Sequence, residues 1–211
     1  MLFDLFTNPI LFLAGISGLI VAVTIHEFSH ALIADRLGDP TPRINGRLTL
    51  NPLAHLDPIG TLMLFLTRFG WGKPVPIDTY NLENPRRDAA LISLAGPASN
   101  LILAIILSVF LKIISASSVL PIFYSIITPI IMFHITINIS LAIFNLLPIP
   151  PLDGSKILLG FLPNDLAFEW TDFLERYGLG LLFFLVFPFF GQSLISYFIS
   201  PIISFILHLL L

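Results

Sequence analysis

The 211-residue sequence contains no cysteine and few charged side chains. Without cysteine the chain can form neither a disulfide nor a thiolate metal site, and its redox compartment is left open. Charged residues make up 11% of the chain, against about 25% in soluble domains. The net charge of −3 gives no reason to expect a nucleic-acid partner. The first residues, MLFDLFTNP, also lack the basic stretch that begins a cleaved signal peptide.

Apolar segments make up most of the sequence: 56% of the residues are hydrophobic, and the mean hydropathy is +0.94. Three runs, Pro9 to Arg36, Ala89 to Leu111 and Ile122 to Leu147, are long enough to cross a hydrocarbon core of about 30 Å. The tail, residues 178–211, suits one kinked span or two short ones. A soluble domain with a large core would need polar helix faces, which these runs lack.

We therefore expect an all-α polytopic membrane protein with about four to five transmembrane helices. No repeat or low-complexity tract divides the chain, so a single membrane-embedded domain, residues 1–211, is the simplest organisation. Its core would lie at about residues 9–156, and residues 178–211 would add the C-terminal membrane segments.

The basic side chains predict how these segments thread through the membrane. The apolar piece Ile59 to Phe69 has about eleven residues, which is short for a span. If this piece enters the bilayer and returns, nine of the ten basic residues lie on one face and Lys112 lies on the other. The positive-inside rule favours this re-entrant arrangement and makes the basic face cytosolic.

A carboxylate and two imidazoles, in the sequence His26-Glu27-Phe28-Ser29-His30, lie near the end of the first apolar run. An ionisable side chain in a bilayer costs at least about 2.5–3.5 kcal/mol, so a compensating interaction is expected. His26 and His30 are four residues apart and share one helical face. Both can reach one metal ion while Glu27 holds a water molecule, but a satisfied polar cluster and a proton relay are equally good explanations of the motif alone.

Zinc in hydrolytic sites takes three protein ligands and a water molecule. The extended motif HExxHxxGxxH fails here, because Ile33 and Arg36 occupy its last two fixed positions. Asp153, in the sequence Pro-Pro-Leu-Asp-Gly, follows the third apolar run, and the predicted topology places it at a similar depth to the histidines. Taken by itself, Asp153 is better explained as part of an ordinary Asp-Gly turn, so the third ligand stays open at this point.

Three motifs together resemble the site-2 protease family of intramembrane zinc metalloproteases: HEFSH at 26–30, AGPASN at 95–100 and FNLLPIPPLDG at 144–154. The stretches GRLTLNPLAHLDPIGT and GWGKPVPID are also similar to those of compact prokaryotic members without extra domains. The resemblance covers about residues 15–156.

This resemblance implies one Zn²⁺ ion bound by His26, His30 and Asp153, with Glu27 as the catalytic residue and Asn145 assisting. It implies an endopeptidase that cleaves transmembrane or membrane-proximal segments of membrane proteins in the bilayer of a prokaryotic cell membrane. The active site would face the cytosolic side. The chain has no room for the extra domains of some relatives, so a minimal version is expected.

Substrate contacts are expected in two places. A substrate helix hides its peptide bonds and must unwind before cleavage, so the enzyme needs a site for an extended chain. The segment Arg43 to Leu50 alternates in polarity and contains Asn-Gly, which predicts a small β-hairpin. Leu48 and Leu50 would then form an edge strand that pairs with the substrate, although a hairpin that only closes the loop is an alternative. Asn100 is the second expected contact.

Two other functions remain open. A proton-coupled transporter could use Glu27 and the histidines as a relay, but transporters typically show inverted repeats and paired broken helices, and only a broken tail is seen here. A catalytically silent scaffold would be expected to lack a ligand or the base. His134, on the polar face of the third apolar run, is expected to pack rather than bind metal. The sequence makes no prediction of an oligomeric state.

Overall fold

The computed structural model describes residues 8–67, 70–116, 121–188 and 193–211. Within these ranges the main elements are α-helices: α1 Pro9–Arg36, α2 Thr41–Ile44, α3 Pro58–Thr67, α4 Pro85–Ala116, α5 Pro121–Asn145, α6 Asp153–Phe161, α7 Asn164–Val186 and α8 Leu194–Leu210. Two 3₁₀ turns, Pro52–Ala54 and Thr79–Asn81, lie in the loops. The described ranges contain no β-strand, only an isolated antiparallel bridge between Leu56 and Gly72.

Among the described residues, three helices are long and apolar enough to cross a bilayer: α1, α4 and residues Tyr124–Asn145 of α5. The start of α1 follows from local chemistry, because the Asn8 side chain accepts the Leu11 N–H and Pro9 occupies the first turn, where its missing N–H costs nothing. The expected class, an all-α multi-pass membrane protein, is confirmed. The count of four to five spans stays a prediction, since α8 has 17 residues.

The predicted re-entrant segment corresponds to α3, a helix of 10 residues that ends at Thr67. A helix of this length rises about 15 Å, which is half of a hydrocarbon core. The last two residues of the predicted segment, 68–69, lie outside the described residues. The re-entrant path therefore stays a prediction.

Helix α4 is the centre of the bundle and packs against α1, α5 and α6. Its interface with α5 is an apolar cluster of one small and four branched buried side chains, and α8 packs against this cluster. The buried members are Ala104, Leu111, Ile131, Ile135 and Ile139. Close packing of these helices fixes the relative height of the polar residues on their inner faces.

The outer surface of the bundle is apolar. The exposed large side chains of α4 include Ile102, Ile105, Ile106, Val109, Phe110 and Ile113, and those of α8 include Tyr197, Phe198, Phe205 and Leu209. Apolar patches of this extent are excluded from water in soluble proteins and are the normal lipid-facing surface of a membrane helix.

The β-hairpin predicted at Arg43 to Leu50 is wrong. The segment begins with the short helix α2 and turns at Gly46, whose φ of 65° lies in the left-handed region. The Arg47 N–H donates to the Pro42 carbonyl oxygen at 2.8 Å, which closes the end of the helix. The Asn-Gly pair therefore ends a helix instead of joining two strands. Leu48 and Leu50 follow in irregular backbone and form no strand edge.

Asp39 ties the segment after α1 to the loop that precedes α4. Its fully buried carboxylate accepts the backbone N–H groups of Thr41 at 3.0 Å and Asp78 at 2.8 Å, and the amide of Asn81 at 3.0 Å. Burial by itself would raise the pKa of the Asp39 carboxyl, but these hydrogen bonds hold it below its ordinary value. The ionised carboxylate thus fixes the two loops to each other.

Candidate metal centre

The side chains of His26, His30 and Asp153 meet at one point between α1 and the start of α6. The Nε2 atom of His26 lies 3.0 Å from Oδ2 of Asp153, and the Nε2 atom of His30 lies 3.3 Å from the same oxygen. The two imidazole rings are edge-to-face, with centroids 4.6 Å apart. One ligand atom from each of the three residues lies within 4.8 Å of the others.

Hydrogen bonds on the far side of each ring set the tautomer. The Nδ1–H of His30 donates to the Ile92 carbonyl oxygen at 2.7 Å. The Nδ1–H of His26 donates to Oδ1 of Asn100 at 2.7 Å, because the Asn100 amide nitrogen is already donating to the Ala22 carbonyl and to Asn138. Both Nε2 atoms therefore carry lone pairs directed at Asp153, as metal ligation requires.

The turn between α5 and α6 places Asp153 level with His26 and His30. Gly154 is pressed against the end of α5, where a Cβ atom would lie 2.2 Å from the Leu146 carbonyl oxygen. Buried Leu152 packs with Ile149 and Leu182 and anchors the turn.

Gly96 gives α4 its close approach to the two imidazoles. A Cβ atom at this position would lie 2.5 Å from Nε2 of His30 and 2.6 Å from Cε1 of His26. Only a residue without a side chain fits here, so Gly96 has a packing role directly at the cluster.

The three side chains fit a zinc ion. Two imidazole nitrogens and one carboxylate oxygen are a common set of three protein ligands, with the fourth position left for water or substrate. Ligands about 2.0–2.2 Å from a tetrahedral zinc ion lie roughly 3.3 Å from one another, close to the separations of both Nε2 atoms from Oδ2 of Asp153. His26 and His30 are 5% and 6% exposed, so the centre is largely shielded from solvent.

Glu27 borders a cavity of about 450 Å³ that adjoins the cluster. His26 and Asn145 also line this cavity, and most of the other lining side chains are apolar. One wall is a single face of α1, with Ile16, Leu19, Ile20 and Val23, and the facing wall is Leu141 and Phe144 of α5. The carboxylate Oε2 of Glu27 accepts the backbone N–H of Val75 at 3.2 Å.

The three residues predicted to contact the substrate, Asn100, Leu48 and Leu50, do not line this cavity. Asn100 is fully buried behind His26 and does not line the cavity, so its geometry suits orientation of the imidazole rather than substrate contact. Leu48 and Leu50 are likewise not among the residues that line the cavity. His134 donates from Nδ1 to the Ile130 carbonyl oxygen at 2.9 Å and lies outside the three-residue cluster, in keeping with the expected packing role.

Sequence reasoning missed the backbone groups of the site. The Ile92 carbonyl and the Val75 N–H carry no signature in side-chain identity, so no motif identifies them. One feature of the sequence could have drawn attention to the Val75 N–H. Val75 lies between Pro74 and Pro76 and holds the only backbone N–H of that tripeptide.

The chain is similar to known membrane metallopeptidases. It matches Peptidase family M50 over residues 112–185. It is 40% identical over 188 residues to "Putative zinc metalloprotease YwhC" of Bacillus subtilis, covering 88% of this chain and 84% of the relative. It is 35% identical over 153 residues to "Putative zinc metalloprotease Rip2" of Mycobacterium tuberculosis, covering 70% of this chain and 56% of that relative. No solved structure matches it.

These likenesses, together with the apolar helices, define a multi-pass membrane zinc metalloprotease. More specifically, the chain belongs to peptidase family M50, the site-2 protease family, as its motifs had suggested. The cofactor is zinc, as predicted from the resemblance. The relatives do not favour the transporter or the silent scaffold.

Proposed function

We propose that this protein is an intramembrane endopeptidase that cleaves transmembrane or membrane-proximal segments of membrane proteins. In this proposal His26, His30 and Asp153 hold one zinc ion and Glu27 is the general base. The observation that carries the proposal is the convergence of three ligand atoms within 4.8 Å of one another, beside a carboxylate that borders an apolar cavity.

The residues divide the chemistry between them. Zinc, when bound, supplies a Lewis acid that polarises a peptide carbonyl and lowers the pKa of water. The Glu27 carboxylate accepts the proton of the attacking water and delivers it to the amine that leaves. Asn145 lines the same cavity, where its amide N–H can stabilise negative charge that develops on the carbonyl oxygen.

The cavity supports an extended, apolar substrate segment. Ile16 and Glu27 are eleven residues apart on α1, so the cavity runs about 16 Å along the helix. At roughly 3.3 Å per residue this length holds about five residues of extended chain. The apolar walls accept the side chains of an unwound transmembrane segment, whereas a charged segment would lose its hydration there.

The basic residues support a cytosolic site in a prokaryotic cell membrane. Arg36 ends α1, and Arg86 and Arg87 begin α4, at the end of the bundle nearest the metal centre. Lys112 lies near the opposite end of α4. This distribution follows the positive-inside rule, with the metal centre toward the cytosolic face.

The experiment compares the wild type with Glu27→Gln. The reporter is a quenched-fluorescence, single-span peptide of about 20 apolar residues with a central Gly-Pro pair that weakens its helix. The proposal predicts that Glu27→Gln keeps its zinc, measured by elemental analysis, and loses cleavage by at least about 100-fold. Glu169→Gln, a change of the same kind at an exposed position, should keep both.

Two results would overturn the proposal. Wild-type rates of cleavage by Glu27→Gln would exclude Glu27 as the base. Proton-coupled uptake of a small solute into vesicles, abolished by Glu27→Gln in a protein without peptidase activity, would support the transporter instead.

A further inference from the structure

Arg47 is a buried cation whose partners are backbone carbonyl groups. Its residue is 6% exposed. The guanidinium donates to the carbonyl oxygens of Ala54, of Lys73 at 3.3 Å and of Pro74 at 3.1 Å. Within the described part of the chain it forms no ion pair with a carboxylate. The planar fork of an arginine thus joins the loop after α2 to the segment that follows α3.

That second segment, Gly72–Pro76, is here called the strap. It is joined to the preceding loop by the bridge between Gly72 and Leu56 and by the Lys73 N–H, which donates to the His55 carbonyl oxygen at 2.8 Å. Pro74 and Pro76 fix their own φ angles and hold the residues before them in extended conformations. Arg47 therefore fastens a segment that is already stiff.

The strap contacts the proposed general base, Glu27. Between its two prolines the only backbone donor is the Val75 N–H, and this N–H donates to Oε2 of Glu27 at 3.2 Å. The other oxygen, Oε1, lies 3.8 Å from the place that a Cβ atom on Gly72 would occupy. The strap thus bonds to one carboxylate oxygen through Val75 and passes beside the other at Gly72, which has no side chain.

We propose that Arg47 is a positioning residue that sets the orientation of the Glu27 carboxylate through the strap. Glutamate has several rotatable bonds, and a fixed donor at one oxygen selects the rotamer in which the other oxygen faces the reacting water. Neither the motifs nor the relatives' names give Arg47 a role. The inference rests on the proposed function, since it takes Glu27 as the base.

The test measures kcat, KM and bound zinc for Arg47→Gln and Val75→Pro with the single-span reporter peptide. Arg47→Gln removes the fork, and Val75→Pro removes the donor to Glu27 while keeping the strap extended. Both variants should lose about 10- to 100-fold in kcat, with KM and zinc content unchanged. Val75→Ala, which keeps the N–H, should lose at least tenfold less than Val75→Pro.

Arg43→Gln is the matched control for the arginine. Arg43 lies in α2, four residues before Arg47, but its side chain is 65% exposed and pairs with Asp35. It should retain the wild-type kcat, since its guanidinium bonds to Asp35 of α1 and not to the strap.

The double variant separates positioning from general stability. If both residues act through one carboxylate, Arg47→Gln with Val75→Pro should lose no more than the larger single loss. A loss equal to the product of the single losses would overturn the inference, as would a wild-type kcat in Val75→Pro. If Arg47→Gln yields no folded protein, Arg47→Lys, which keeps the positive charge but loses the planar fork, takes its place and should show the same loss of kcat with KM and zinc unchanged. The proposed function fails separately, if Glu27→Gln still cleaves.

Discussion

Each imidazole at the candidate metal centre is oriented by a different kind of group. His30 donates to a backbone carbonyl that the fold of α4 fixes, whereas His26 donates to the side chain of Asn100. Asn100 is held in turn by the Ala22 carbonyl and by Asn138. A buried polar network of this kind is stable only when its members are satisfied, so removing one member disturbs the ligand it orients.

Asn100→Ala should therefore weaken zinc binding by about 10- to 100-fold, because the His26 ring loses the acceptor that fixes its tautomer. The affinity can be measured by competition with a chelator of known zinc affinity. Asn45→Ala, at an exposed asparagine that bonds only within its own turn, is the control and should bind zinc like the wild type. An unchanged affinity in Asn100→Ala would contradict this account of His26.

For single residues, the side chains of the site can be predicted from the sequence, whereas its backbone donors and acceptors cannot. An ionisable triplet in an apolar run demanded a compensating partner, and the spacing of His26 and His30 pointed to metal chemistry. The structure brings Asp153 to both of them. The Val75 N–H and the Ile92 carbonyl could not be predicted, because every residue offers such groups and only tertiary packing selects one.

Among the helices, the packing of α4 against α1 matters most for the site. The backbone of α4 must come close enough to α1 to contact the two imidazoles. Gly96 makes this possible, and a Cβ atom there would overlap His30. Gly96→Ala should force the ring out of its place and weaken zinc binding by roughly tenfold or more. Competition with the same chelator measures the zinc affinity of Gly96→Ala.

Gly180→Ala is the matched control for this substitution. Gly180 lies in α7, and no atom lies within 4 Å of the position that its Cβ would occupy. It should bind zinc like the wild type. Equal zinc affinities for the wild type and Gly96→Ala would show that the helices can separate without disturbing the site.

The loop after α1 shows why local patterns mislead at this scale. Alternation and Asn-Gly in Arg43 to Leu50 satisfy the rules for a hairpin. The chain instead places Pro42 in the first turn of a helix and uses Gly46 to end it. Two of the three carbonyl partners of Arg47, those of Lys73 and Pro74, lie 26 and 27 residues further along the chain. Long-range bonds of this kind override local propensity, and a single sequence does not display them.

The Asp39 carboxylate, which joins the segment after α1 to the loop before α4, makes the stability of the fold depend on pH. A depressed pKa in the folded state means that the contribution to stability is fully present above the unfolded value of about 3.9 and is lost as the pH falls through the folded pKa. Asp39→Asn should lower the free energy of unfolding by about 1–3 kcal/mol at pH 7. The difference from the wild type should narrow as the pH is lowered toward about 3.

Thermal unfolding in detergent at several pH values measures this effect. Asp165→Asn, at an exposed acidic residue in the first turn of α7, is a suitable control and should follow the wild type closely. A constant difference between Asp39→Asn and the wild type over the whole pH range would contradict the assignment.

For the whole molecule, the apolar outer surface and the one-sided distribution of basic residues predict a defined orientation. Because the chain has no cysteine, single cysteines can report it without background. Arg87→Cys, at the start of α4, should react with a membrane-impermeant maleimide only from the cytosolic side. Lys112→Cys, near the other end of α4, should react only from the opposite side. Labelling of both cysteines from one side would contradict the topology.

The central claim is that two imidazoles of α1 and the carboxylate of Asp153 hold a single zinc ion. X-ray absorption at the zinc edge of the purified full-length protein tests it most directly. The account predicts one zinc ion per chain, with two imidazole nitrogens at about 2.0 Å and an oxygen shell that changes in Asp153→Ala. Zinc without an imidazole signature, or a spectrum and stoichiometry unaltered by both His26→Ala and Asp153→Ala, would contradict it.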